Sequence, residues 1–175
     1  LAAIGAAITY TAGAKPYGYM GLGDLSVLLF FGWVGVMGSY FLHTIAWSWD
    51  LFLPASSCGL LAVGVLNINN IRDIESDRAT GKNSIPVRIG RDAAVHYHAA
   101  LIGLAVLCAL LYSLLHYTTL AQFLYVLALP LLYRNVRAVW SITDPQALDP
   151  YLKQLALSTL LFVLLFGLGT LTAMP

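Results

Sequence analysis

A polytopic bundle of transmembrane α-helices is the fold class that this 175-residue sequence predicts, and three observations carry the prediction. First, 59% of the residues are apolar and 10% charged, with a mean hydropathy of +0.79, against roughly 45–50% and ~25% in a soluble domain. Second, the apolar residues gather into stretches about as long as the ~20 residues a helix needs to cross a ~30 Å hydrocarbon core. Third, the charges cluster around the ends of those stretches and leave their centres clear. Strands of a membrane barrel would alternate apolar and polar over about ten residues, whereas these runs are continuously apolar for about twice that.

Six spans are expected. Residues 1–12 make half a span, and residues 25–47, 51–71, 93–116, 119–140 and 152–173 are each long enough to cross. The chain opens on Leu1 inside an apolar stretch, so it is expected to be the C-terminal part of a longer protein. With no internal repeat or second composition, residues 1–175 read as one membrane-embedded domain. Asp149-Pro150 reads as an N-cap and first-turn proline opening the last span, and Gly81 with Pro86 as the stop of the helix leaving the third. Glycines at 32, 35, 38, 167 and 169 are expected at close helix approaches. His96 and His98 read as interfacial anchors, and the tryptophans as an aromatic belt.

All nine Lys and Arg residues fall in alternate loops: Lys15; Arg72, Arg78, Lys82, Arg88 and Arg91; Arg134, Arg137 and Lys153. The positive-inside rule puts that face in the cytoplasm, of what is expected to be a bacterial inner membrane. Nine basic against eight acidic residues leave no basic field for nucleic acid, so the expected surroundings are membrane lipid. Cys58 and Cys108, both in apolar runs, read as packing residues.

The chemistry concentrates at the polar end of the third span, where residues 72–92 hold nine of the seventeen charges. At 3.6 residues per turn, Asn69, Asp73 and Asp77 stack on one helix face. Glu75 has Arg72 and Arg78 at helical spacing. Asp73 and Asp77 have only each other, a like-charge pair costing roughly 0.2–0.5 kcal/mol unless a cation lies between them. Oxygen donors without His or Cys favour a hard ion, and Mg²⁺ typically takes one or two carboxylates plus substrate phosphates. Lys82, Arg88 and Arg78 would then neutralise the phosphate oxygens of a bound diphosphate. A charged cytoplasmic loop without ligand is the alternative reading of the same residues.

Residues 69–90, from Asn69-Asn70-Ile71-Arg72-Asp73 through Asp77-Arg78 and Gly81-Lys82 to Pro86-Val87-Arg88-Ile89-Gly90, resemble the second aspartate-rich motif of the UbiA-type membrane prenyltransferases. Thr11-Ala12-Gly13 and Pro16-Tyr17-Gly18-Tyr19-Met20-Gly21-Leu22-Gly23-Asp24 look like the loop carried by the menaquinone-pathway branch, which prenylates 1,4-dihydroxy-2-naphthoate. The resemblance implies a nine-helix bundle of which the six stretches are helices four to nine. It implies Asp73 and Asp77 as Mg²⁺ ligands, Asn69 and Asn70 as their support, and Lys82, Arg88, Arg78 and Lys15 as contacts of a polyprenyl diphosphate. The reaction implied is ionisation of the allylic diphosphate, attack by the aromatic acceptor and loss of its carboxylate as CO₂, giving demethylmenaquinol. The family's first motif, Asn-Asp-x-x-x-Asp-x-x-x-Asp, is absent from these residues, so they are expected to be inactive in isolation.

Two other readings stand beside this one. Another acceptor of the same superfamily, such as 4-hydroxybenzoate, would use the same motif. A transporter would place ionisable groups near the membrane midplane, where these spans have none.

Overall fold

The computed structural model describes residues 16–172 together with Gly5, Ile8 and Thr9. Lys15 and most of the expected half-span over residues 1–12 lie outside the described residues. Among the described residues every regular element is helical: α1 (Gly23–Thr44), α2 (Phe52–Arg72), α3 (Ile74–Ala79), α4 (Ile85–Leu115), α5 (Leu129–Ser141) and α6 (Asp149–Leu171). Helices α1, α2, α4 and α6 are long and apolar enough to cross a membrane, matching four of the expected spans. The span expected at 119–140 has a different build. A 3₁₀ segment, Leu120–Ala128, leads into α5, and Arg134, Asn135 and Arg137 make the second half too polar to count as a continuous apolar crossing.

Helices α2 and α4 form the centre of the bundle. Leu61, Ile68 and Ile71 of α2 meet Ile102, Ala105 and Ala109 of α4, and Tyr125, Leu132, Leu155 and Phe162 close the core from the other side. The alanines on α4 are one turn apart, so a single small-residue stripe faces the neighbours. Cys58 and Cys108 are half-buried free thiols, as expected of packing residues.

The glycines divide. A Cβ added at Gly32 would lie 2.7 Å from the Ala55 carbonyl oxygen and 3.0 Å from Gly59 Cα, so α1 and α2 touch backbone to backbone there. Gly169 meets the Ala121 carbonyl as closely. Gly38 and Gly167 have room around them, and the expectation of close approach fails at both. Gly32→Ala should therefore lower stability by about 1–3 kcal/mol through overpacking, while Gly38→Ala is neutral or better; thermal unfolding in detergent reads the contrast.

Three helix boundaries differ from the sequence reading. The helix leaving the third span first breaks at Asp73, and Gly81 (φ 75°) ends the short α3 that follows. Pro86 belongs to the first turn of α4, where a proline has no hydrogen bond to lose. Within α4, Gly90 adopts φ 80° and ψ 164°, a region open essentially to glycine alone. Asp149 is the first residue of α6 and makes no cap, the preceding position being Leu148; its carboxylate is engaged by Arg72 instead.

The charged helix ends are tied to one another. Arg72 of α2 reaches Asp149 of α6 at 2.6 Å. Arg91 of α4 donates to the Val139 and Ile142 carbonyls at the end of α5. Tyr97 of α4 donates to Asp24 of α1 at 2.9 Å. These ties gather the polar ends of five helices on one side of the bundle.

Candidate active site

The site grows from the end of α2. Asp73 has φ −97° and ψ 11° and interrupts the helix, yet the Asp73 N–H donates to the Asn69 carbonyl at 3.0 Å and the Asp77 N–H to the Asp73 carbonyl at 2.8 Å. Helical register therefore passes across the interruption, and Asn69, Asp73 and Asp77 stack as the spacing predicts. Asn69 Nδ2 donates to Asp73 Oδ2 at 3.3 Å.

The charge pairing differs from the sequence reading. Both aspartates have basic partners. Arg72 grips its neighbour Asp73 through Nε to Oδ1 at 2.8 Å and Nη2 to Oδ2 at 2.9 Å, while Nη2 also donates to Asn69 Oδ1 at 2.9 Å. Arg72 therefore turns away from Glu75, which keeps only Arg78, at 3.0 Å. Helical spacing misses these partners because Arg72 adjoins Asp73 in sequence and its guanidinium follows the break in the backbone. The Arg72 hydrogen bonds hold the Asp73 carboxyl below the usual carboxylate range against the opposing effect of burial, so it is ionised at neutral pH.

Asp77 is buried and sits deeper. Lys82 Nζ lies 2.9 Å from Asp77 Oδ2, and Ser84 Oγ donates to the same oxygen at 3.2 Å. Lys82 Nζ also donates to Oδ1 of the buried Asn70 at 3.3 Å. The turn at Gly81 carries Lys82 back over the end of α3, which is how a base five residues beyond Asp77 reaches it.

Arg88 is placed otherwise than as a free diphosphate contact. Its Nε donates to the Asn83 carbonyl at 3.0 Å and its Nη2 to the Met20 carbonyl. Arg78 is exposed and held only by the more exposed Glu75, a pairing worth about 0–1 kcal/mol.

The donor set fits a hard divalent cation. Two carboxylates lie one turn apart, and Lys82 and Ser84 both use Asp77 Oδ2. Among the described residues no group of three or more His, Cys, Asp or Glu is placed to hold a metal. Two carboxylates completed by substrate phosphates are what Mg²⁺ commonly accepts. At the opposite end of the bundle, a cavity of about 300 Å³ is lined almost wholly by apolar atoms, from Val36, Tyr40, Pro54, Tyr112, Phe162 and Phe166 among others.

Sequence reasoning missed a polar network inside the bundle. His98 is fully buried rather than interfacial, and its Nε2 lies 3.0 Å from Asn135 Oδ1. Asn135 Nδ2 donates to Gln154 Oε1 at 2.6 Å and to the Tyr151 carbonyl at 2.9 Å, and Gln154 Nε2 donates to Ser158 Oγ at 2.9 Å. The signal available was an Asn and a Gln within two of the expected spans, where each needs a partner. His96 is exposed and packs edge-on against Trp140, ring centroids 4.4 Å apart. Trp33 leaves the expected belt by donating to Ser56 Oγ at 3.0 Å between α1 and α2.

Comparison with known proteins extends the picture. The profile of the UbiA prenyltransferase family matches residues 1–158. The chain is 51% identical over 164 residues to the 1,4-dihydroxy-2-naphthoate octaprenyltransferase of Escherichia coli (strain K12), covering 94% of this chain and 53% of that protein. It is 48% identical over 169 residues to the Haemophilus influenzae protein of the same name, covering 97% and 55%. A 2-carboxy-1,4-naphthoquinone phytyltransferase of Synechocystis is 34% identical over 83 residues, covering 46% of this chain and 27% of its own. The chain thus spans about half the length of these two octaprenyltransferases. No solved structure matches. An all-helical bundle with four membrane-length helices, an Asp73–Asp77 turn at the end of one of them and a family match over nine-tenths of its length lead to one assignment: this integral membrane chain belongs to the UbiA prenyltransferase family.

Proposed function

We propose that the complete protein transfers a polyprenyl group from a polyprenyl diphosphate to 1,4-dihydroxy-2-naphthoate, with loss of the ring carboxylate as CO₂, in menaquinone biosynthesis. The observation that carries this reading is the 51% identity, across nearly the whole chain, to a protein named for that transfer. The cluster of Asp73, Asp77 and Lys82 supplies chemistry consistent with it. The distribution of Lys and Arg supports a motif face on the cytoplasmic side, and the bacterial sources of the similar proteins support a bacterial inner membrane.

In this mechanism Asp73 and Asp77 hold Mg²⁺, supported by Asn69 and Asn70. When bound, the ion supplies Lewis-acid stabilisation to the departing diphosphate. Lys82 changes partner: its ammonium, now shared between Asp77 and Asn70, turns to the more highly charged phosphate oxygens. Arg78 does the same at little cost, since its exposed pair with Glu75 is weak. The family resemblance adds Lys15 as a further contact. These cations oppose the negative charge that grows on the diphosphate as its bond to the allylic carbon breaks. The electron-rich ring then attacks that carbon, and CO₂ departs from the ring. The apolar cavity far from the motif suits distal isoprene units, about 28 Å away along α2 from Pro54 to Asp73.

The test is an assay of the purified complete protein with polyprenyl diphosphate, Mg²⁺ and either 1,4-dihydroxy-2-naphthoate or 4-hydroxybenzoate. Demethylmenaquinol is expected from the first acceptor only, and chelation by EDTA should abolish it until Mg²⁺ is restored. Full turnover in EDTA, or preference for 4-hydroxybenzoate, would reject the assignment.

A further inference from the structure

The loop ahead of α1 and the loop after α3 meet at one residue. Asn83 stands between Lys82 and Ser84, the two residues that reach Asp77 Oδ2. Both peptide units flanking Asn83 are pinned. Its N–H donates to the Tyr19 carbonyl at 2.9 Å, and its carbonyl accepts from Arg88 Nε at 3.0 Å. The same guanidinium, through Nη2, holds the Met20 carbonyl.

Gly21 completes the junction. It lies at φ 77°, which L side chains rarely adopt. A Cβ there would fall 2.6 Å from Arg88 Cζ and 2.7 Å from the Asn83 carbonyl oxygen. Glycine is thus required twice, for its backbone and for the approach of the guanidinium. Behind it, Tyr97 fixes the start of α1 through Asp24 at 2.9 Å.

We propose that Arg88 is a positioning residue: with Gly21 it staples the Tyr17–Met20 turn to Asn83 and thereby sets where Lys82 and Ser84 meet Asp77. The role rests on the prenyl-transfer reading above and goes beyond it, because the family resemblance would make Arg88 a phosphate contact. A planar fork joins two carbonyls on separate segments, which a lysine ammonium does not reproduce. A displacement of about 1 Å at a catalytic group can cost roughly 10²-fold in rate, so an exposed arginine touching no reacting atom can still control turnover.

The experiment compares Arg88→Lys, Arg88→Ala and Gly21→Ala in the complete protein, by hydrogen exchange at the Asn83 amide, by kcat and KM, and by inhibition with inorganic diphosphate. Gly21→Ala keeps every charge, so it separates the staple from a phosphate contact. All three should speed Asn83 exchange and lower kcat by on the order of 10-fold or more, and because each displaces Lys82, any weakening of diphosphate inhibition should be the same in Gly21→Ala as in Arg88→Ala. Arg88→Lys behaving as wild type in exchange and turnover would overturn the proposal. So would diphosphate inhibition weakened in Arg88→Ala but intact in Gly21→Ala. If the wild-type protein shows no prenyl transfer, the functional reading fails while the Asn83 exchange still decides the staple.

Discussion

Asp73→Asn and Asp77→Asn in the complete protein are each expected to lower prenyl transfer by roughly 10²–10³-fold, the scale seen when one preorganised charge-stabilising group is removed. Insertion and folding should survive. In Asp73→Asn, Arg72 keeps Asp149 and Asn69 as partners. In Asp77→Asn, Lys82 keeps Asn70, and the amide oxygen still accepts from Ser84. The loss should therefore appear in turnover and in the Mg²⁺ concentration needed for half-maximal rate, with size-exclusion profile and unfolding temperature near wild type. Variants that turn over normally would remove Asp73 and Asp77 from the metal site.

Lys82→Met is expected to fail differently, in stability as well as activity. Asp77 is 7% exposed, and removing its ammonium partner leaves a buried carboxylate that still accepts from Ser84 but has lost the charge that offsets its own. Breaking a buried pair from one side costs about 3–5 kcal/mol, and the partial exposure of Lys82, 22% of its side chain, places this case at about 3 kcal/mol. The double variant Asp77→Asn with Lys82→Met removes both charges and should recover most of that stability while remaining without turnover. Thermal unfolding of the single and double variants, beside the prenyl-transfer assay, measures the coupling. Equal destabilisation in the double variant would mean that Lys82 packs the loop without compensating Asp77.

What the sequence made legible follows from the range of the interactions. Four spans and the Asn69, Asp73, Asp77 stack depend on composition and on the 3.6-residue period, both local, and both emerge as read. Helical spacing pairs Arg72 with Glu75 because only neighbours one turn away are visible along a chain, whereas its partner Asp149 is 77 residues on. Lys82 reaches Asp77 by a reversal at Gly81 that no helical spacing encodes. His98 looked interfacial from its distance to the charged loop; only the packing of α5 and α6 reveals the Asn135 and Gln154 amides that receive it. Arg88 carried a charge that suited phosphate, while its geometry suits two carbonyls.

The backbone at Gly90 bears on how this chain can change. In an unbroken helix, one inserted residue turns everything beyond it by about 100°, which would swing Leu101, Ile102 and Ala105 off the core. Gly90 interrupts α4 ahead of those residues, so length changes between Gly81 and Gly90 need not be transmitted as rotation of the span. The charged loop and the membrane helix are rotationally uncoupled at a single glycine. The charged loop can be remodelled on one side of it while the packing on the other keeps its phase.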